Sequence, residues 1–458
     1  MCDRSMKSKI ITRQLPIVNQ RRLTPLIFLL PNLFFEEELQ SIATAASPRA
    51  RQTVAEIGPV MGLLAGETHG SSTSPDASPL RSIVVVADDS RPDDVPPALQ
   101  GVEFLTIDEL AARVRLETEP NPERGNDWVA VPWGWSHPAV AIFQRAGLRI
   151  NAPDIDVVQS INSRQFQSTF DAAIEIDGRQ RVDSFGTLCR SQAEVTNAIK
   201  AACEYSQRGW VIKADLSHAS RNRMLGTSTE LRSEQRAWLE SRFDSGECVY
   251  VEPWVERLSE CGLQFFVPQS GISAATIEFT GAAEMLNDEA GRYRGSIVRS
   301  TLHEAIWEPA IEHCLQIARS AGTLGYFGPL GIDCMVFRCP KDNRRWLRLS
   351  HDINGRLTMG RIALSLRRFL ESGETGLWIH GGVNSGLRNG KTADEVMPGG
   401  VRMIHTGPGR VGGKAVRTET ALVVSADFER LKAACTQILG RSVKLTQASE
   451  SDQTLVRF

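Results

Sequence analysis

Two strand-length runs, Gly331–Phe337 and Arg345–Leu349, flank the turn Pro340-Lys-Asp-Asn343, with acidic side chains inside the first and just past the second. The second run continues Arg348-Leu-Ser-His-Asp352-Ile-Asn354-Gly-Arg356-Leu-Thr-Met-Gly360. Side chains two apart on a strand share a face, so Asp352 and Asn354 project together, and a hairpin lays Asp333 beside them. A carboxylate inside an apolar strand is costly without a partner, so a merely solvated polar strand accounts poorly for Asp333. Two carboxylates and an amide oxygen are hard donors, which suit Mg²⁺ bridging nucleotide phosphates and do not suit zinc. Arg356, two residues further on, is placed to touch the same phosphates. His351, at odd spacing from Asp352, is expected on the opposite face in a structural role.

The chain has 458 residues, enough for about three domains. Its 41% hydrophobic and 23% charged residues are those of a globular protein, so a sizeable core can be buried. With Lys+Arg 52 against Asp+Glu 54 there is no basic excess to neutralise phosphate backbones, and no nucleic-acid partner is expected. Nine scattered cysteines without a CxxC pair read as reduced thiols in the cytoplasm. Basic residues before the apolar run Pro25–Phe35 imitate a secretory signal, but Pro31, Asn32 and Glu36-Glu37-Glu38 break the pattern. No run reaches the roughly 20 apolar residues of a membrane helix, so no membrane partner is expected.

Strand and helix patterns alternate from Leu26 to about residue 150. Ser82-Ile-Val-Val-Val-Ala87 is a continuous β-branched run, as in a parallel strand covered on both faces. That section reads as an α/β layer domain. Strands flanked by helices follow from about residue 155: Trp210-Val-Ile-Lys213, Glu247–Glu252, and the possible hairpin Leu263–Val267 with Ala274–Phe279. The stretch Gly373–Gly413 is glycine-dense and reads as loop, followed by a strand at Ala421–Val424 and a helix at Phe428–Leu439. Two glycine-lysine patterns, Ser385–Thr392 and Gly407–Ala415, depart from the phosphate-loop spacing and read as turns.

Lys213 ends an apolar strand and faces the polar loop Ala214–Gly226. Alone, such a lysine is an ordinary surface residue; beside a flexible loop it can also hold a fixed charge over phosphates. The segment Val249-Tyr-Val-Glu252-Pro-Trp254-Val-Glu256 is a strand leading into a chain stiffened by Pro253. Such a segment offers backbone groups to an adenine edge, a carboxylate for its exocyclic amine, and Glu260 or Glu256 for ribose hydroxyls. The plainer alternative is an acidic loop. Trp133 and Trp135 read as packing or as the mouth of a site, and His218 as a possible phosphate or substrate contact.

In order, the chain carries a lysine after an apolar strand, an acidic hinge, an Asp, and Asp-x-Asn-x-Arg followed by Met-Gly. This pattern resembles the ATP-grasp superfamily of carboxylate–amine/thiol ligases, over residues 155–371. The resemblance implies an α+β fold, an ATP-grasp fold preceded by an α/β pre-ATP-grasp domain. The divisions expected are a flexible N-terminus at 1–23, the α/β domain at 24–154, two ATP-grasp subdomains with ATP between them at 155–371, and a Gly-rich C-terminal segment at 372–458 with a terminal strand and helix. It implies that Lys213 contacts the nucleotide phosphates, that Glu252 and the Trp254 backbone hold adenine, and that Glu260, with Glu256 as substitute, holds ribose. Asp333, Asp352 and Asn354 would bind Mg²⁺, and Arg356 would steady the γ-phosphate or an acyl-phosphate. Arg164 and Arg299 would add positive charge. Asp352 stands where the family usually carries Glu, and Ala214–Gly226 has a single glycine where the family has a glycine-rich loop. The implied activity is Mg²⁺- and ATP-dependent joining of a carboxylate, small molecule or peptide, to an amine. The alternatives are a kinase on the same fold and a non-catalytic ATP-binding protein.

Overall fold

The computed structural model describes residues 26–40, 47–66, 82–87, 90–118, 128–176, 178, 180–216, 222–269, 276–288, 291–299, 301, 304–382, 385–387, 395–397 and 399–439. The N-terminal stretch to residue 23, the polar loop 67–79 and His218 lie outside the described residues.

The first layer is a four-stranded parallel sheet in the order Val102–Leu105, Ser82–Val85, Ile27–Leu30, Val129–Pro132. All four residues of Ile27–Leu30 and of Ser82–Val85 are buried, which is why these segments read as unbroken apolar runs. Its helix His137–Arg145 begins at Ser136, whose hydroxyl accepts from the Ala139 amide. The helix expected through Glu36–Ala46 is described only as Phe35–Leu39.

A small four-stranded sheet follows, in the order Thr187–Cys189, Val249–Pro253, Trp210–Ala214, Arg223–Gly226. Its pairings are antiparallel. The helix Gln192–Tyr205, capped by Ser191, buries Val195, Ala198, Ile199 and Ala202 against Trp210, Ile212, Val249 and Val251. Strand alternation therefore spends Trp210 and Ile212 on this core and turns Val211 and Lys213 to the other face.

The third layer is an eleven-stranded sheet. At its centre lie Glu278–Asn287, Glu256–Val267, Gly328–Arg338 and Arg345–Asn354, each antiparallel to the next. The helix Glu308–Thr323 covers one face with Ala310, Cys314, Ile317, Ala318 and Ala321. Only Trp254 and Val255 separate the last strand of the small sheet from the long strand Glu256–Val267. A strand thus replaces most of the extended segment expected after Pro253, because Cys261, Leu263 and Phe265 alternate into the core. The glycine-dense C-terminal stretch is likewise more ordered than expected. Thr375–Gly382 pairs with Tyr293–Arg299 on one side and with Thr418–Ser425 on the other, extending the same sheet. Arg410–Val411 and Lys414–Ala415 form a tight hairpin whose corner glycines, 412 and 413, have positive φ, so this glycine-lysine pattern is a turn. The eight cysteines among the described residues are all unpaired. Among the described residues no helix is long and apolar enough to cross a membrane.

Candidate functional site

A cleft opens where the small sheet meets the eleven-stranded sheet, lined by Lys213, Glu252, Trp254, Glu260, Asp333, His351 and Asp352 together with Arg164, Arg223 and Arg257. The structure thus gathers most of the residues singled out in the sequence. Their partners differ from expectation at several points.

Asp333 and Asp352 are directly opposed across the strand pair, and Gly331 is opposed to Asn354. Both carboxylates and the Asn354 amide therefore share one face, with Asn354 Nδ2 3.5 Å from Asp333 Oδ2. Burial, and then the neighbouring Asp352 charge, push the Asp333 carboxyl up to about 7. Asp352 goes the other way: burial raises it, but Arg164 and Lys213 outweigh burial and hold it below its usual value. Arg164 Nη1 lies 2.7 Å from Asp352 Oδ1. Among the described residues no three His, Cys, Asp or Glu side chains form a metal cluster by themselves. The donor set nevertheless fits a hard divalent ion, because two carboxylates face each other across the strand pair with the Asn354 amide beside them. Such an ion would share Asp352 with Arg164.

Lys213 is buried, and its Nζ lies 2.9 Å from Glu252 Oε1. Burial pushes its ammonium below the ordinary range, while Glu252 pulls it back. The other Glu252 oxygen accepts from Arg348 Nη1 at 2.7 Å. Glu252 lies well below the carboxylate range, since Arg348 and Lys213 outweigh the upward push of burial. Both oxygens are held by cations, so Glu252 would have to give one up to receive an adenine amine. The Trp254 backbone is also committed: its amide donates to the Gly209 carbonyl at 2.8 Å, and its carbonyl accepts from Ser206 Oγ at 2.6 Å. What Trp254 turns toward the cleft is its indole, with the Arg257 guanidinium 4.4 Å from the ring centre.

Glu260 is buried in the cleft wall, accepting from Asn287 Nδ2 at 2.7 Å and from Arg257 Nη1 at 3.2 Å. Glu256 is outside the cleft lining, half exposed and 3.6 Å from Arg338 Nε. Arg356 is turned toward the first layer: its Nε donates to Glu36 Oε1 at 2.6 Å, between the rings of Phe35 and Trp133. Trp133 and Trp135 are both buried. Arg299 binds Glu284 and Glu304 at 3.1 and 3.3 Å and is absent from the cleft lining.

His351 lines the cleft, contrary to the expectation from strict alternation. The pairing slips between Asp333 and Met335, whose partners are Asp352 and Arg348. Three residues of one strand thus oppose one of the other, and such an irregularity breaks the simple two-residue period. Burial, then Lys213 and Arg348, push His351 down to about 4, so it is neutral at pH 7. Arg257 and Arg348 were not singled out: Arg348 acts on Asp171 and Glu252, far away in sequence, while Arg257, three residues from both Trp254 and Glu260, was within reach of local spacing and was missed.

The chain has the ATP-grasp fold. It is similar to the pyruvate carboxylase of Rhizobium etli, in a T882A form with acetyl coenzyme A, at TM-score 0.50 and 12% identity, over 91% of this chain and 37% of that one. This chain therefore spans little more than a third of that protein. It is also similar to the biotin carboxylase domain of the 2-oxoglutarate carboxylase of Hydrogenobacter thermophilus, at TM-score 0.49 and 11% identity, over 92% of this chain and 90% of that one. The N5-carboxyaminoimidazole synthetase of Staphylococcus aureus matches at TM-score 0.49 and 11% identity, over 92% of this chain and all of that one, 100%. At these identities the likeness is one of fold. No protein-family description matches the sequence, and no curated protein does.

Proposed function

We propose that the protein is a Mg²⁺- and ATP-dependent ligase that activates a substrate carboxylate as an acyl-phosphate for attack by an amine. The observation that carries this reading is the cluster Asp333, Asp352 and Asn354 on one sheet face, with Lys213 in the same cleft. On this reading the nucleotide lies between the two sheets of residues 155–371, with residues 24–154 and 372–458 flanking them.

Asp333, Asp352 and the Asn354 oxygen would hold Mg²⁺, which supplies charge neutralisation of the phosphates when bound. Lys213 would meet the phosphates, with Arg164 and Arg223 beside it. Glu260 is the better candidate for ribose, since Glu256 lies outside the cleft. The base would rest against the Trp254 indole and Met335, with its polar edge served by groups other than Glu252. Arg356 would steady the activated acyl group while anchored on Glu36. In the reaction the carboxylate takes the terminal phosphoryl group of ATP and releases ADP, and the amine, losing a proton, then displaces phosphate to form an amide. The chain's share is positioning and preorganised charge. Arg164 on Asp352 supports the second reading, an ATP-binding protein without turnover, because it occupies an oxygen that a metal needs.

The test is phosphate release from MgATP against a panel of amino acids and short peptides, with mass spectrometry of the products. A ligated product is expected. A phosphorylated product would mean a kinase, and MgATP binding without phosphate release would mean the non-catalytic reading.

A further inference from the structure

The cleft wall behind Lys213 is a closed chain of buried charges that the sequence pattern did not announce. Arg348 is fully buried. Its Nη1 donates to Glu252 Oε2 at 2.7 Å, and its Nε donates to Asp171 Oδ1 at 2.9 Å. Asp171 Oδ2 is engaged in turn by the amides of Phe185 and Gly186 at 2.8 and 2.9 Å and by the Tyr250 hydroxyl. The Phe185 ring lies 4.7 Å from the Arg348 guanidinium carbon and closes one of its faces. At the other end Lys213 Nζ lies 2.9 Å from Glu252 Oε1 and 3.5 Å from the His351 carbonyl. Of the two cations that meet Glu252, only Lys213 borders the cleft.

We infer that Arg348 is a positioning residue for nucleotide binding: by compensating Glu252 from behind, it leaves the Lys213 charge available to an anion in the cleft. This rests on the reading that Lys213 meets nucleotide phosphates. Without Arg348, Glu252 and Lys213 would form a self-neutralised pair, and a phosphate would have to compete with a buried carboxylate for the ammonium. With Arg348 forked between Asp171 and Glu252, the carboxylate is satisfied on its far side. A guanidinium suits this place because it spans two carboxylates at once, which a lysine ammonium on a single-point stem does less well.

A residue that only held the fold together would have one sign of effect: removing it or its partner would weaken binding. The arrangement here predicts opposite signs. Glu252→Gln should bind MgADP about tenfold more tightly than the parent by calorimetry, because Lys213 loses its competitor. Arg348→Met should bind MgADP about tenfold more weakly. Should Arg348→Met fail to fold by circular dichroism, Arg348→Lys takes its place and should weaken binding in the same direction. In the Glu252→Gln background, Lys213→Ala should remove the gain. If Glu252→Gln weakens binding or leaves it unchanged, or if the arginine variants bind as tightly as the parent, the inference is overturned. If Lys213→Ala alone leaves MgADP affinity unaltered, the underlying reading of Lys213 fails instead.

Discussion

Replacing Lys213 by alanine removes the one lysine ammonium among the described residues of the cleft lining. A charge-assisted contact to phosphate is worth roughly 1.5–3 kcal/mol, so nucleotide affinity should fall about ten- to hundredfold. Calorimetry with MgADP checks this, and an unchanged affinity removes Lys213 from the site. Asp352→Asn tests the metal reading. It keeps the side-chain shape but removes a charged donor and the ion pair to the buried Arg164. Turnover should fall at least about a hundredfold, as when a transition-state charge loses its stabiliser. Asp352→Glu should retain activity. Equal turnover of Asp352→Asn at ordinary Mg²⁺ would refute the assignment. The shared face of Asp333, Asp352 and Asn354 was legible from a two-residue period and a nearby turn, whereas the direct opposition of Asp333 and Asp352 depends on the slip beside Cys334 and was not. The engagement of Glu252 was not legible, since its partner Arg348 lies 96 residues away on another sheet.

At the scale of elements, the strand that carries Lys213 is set by the turn before it. Gly209 has φ +87, and a methyl group there would stand 2.0 Å from the Gly226 carbonyl oxygen. The Gly209 carbonyl also receives the Trp254 amide, so one turn ties together both ends of the cleft wall. Gly209→Ala therefore meets a backbone clash as well as an unfavourable φ, and should cost roughly 2–4 kcal/mol. Urea denaturation measures it; a loss under about 1 kcal/mol would mean the turn relaxes freely. Helices and strands with a clean apolar period were readable from the chain, as Phe428–Leu439 shows by matching its expected bounds. Two features were not. The slip beside Cys334 moves His351 to the cleft, and nothing in a two-residue period announces an irregularity. The glycines of 373–413 hid strands whose stability comes from pairing with partners distant in sequence, not from their own composition.

For the molecule as a whole, acid should be more damaging than mild alkali, and His380 offers a clear measure. It sits in Thr375–Gly382, edge-on to Trp378 and Tyr293 with ring centres at 4.6 and 5.2 Å. Burial, then Arg294, push it down to about 3 from an ordinary 6.5. The neutral ring is the one the fold accepts, so its contribution is complete above pH 6.5 and drains away as pH falls toward 3. By pH 5 the loss from this group amounts to about 2 kcal/mol. His380→Phe keeps an aromatic ring in the cluster and removes the titration. The difference in urea stability between pH 7 and pH 5 should shrink by about that amount, and an undiminished difference would show that His380 gains its proton without penalty.

The eleven-stranded sheet has a further consequence for how the chain comes into being. The strand Tyr293–Arg299 pairs with Glu278–Asn287, made just before it, but its other edge belongs to Thr375–Gly382. That strand in turn is completed by Thr418–Ser425. During translation, the carboxylate-bearing strands can therefore emerge and pair while the sheet beside them still ends in an open edge. Open strand edges recruit other chains, and slow, sequence-distant pairing prolongs their exposure. A nascent chain halted before residue 375 presents that edge indefinitely, which makes the interval between these strands the period when a chaperone has most to protect.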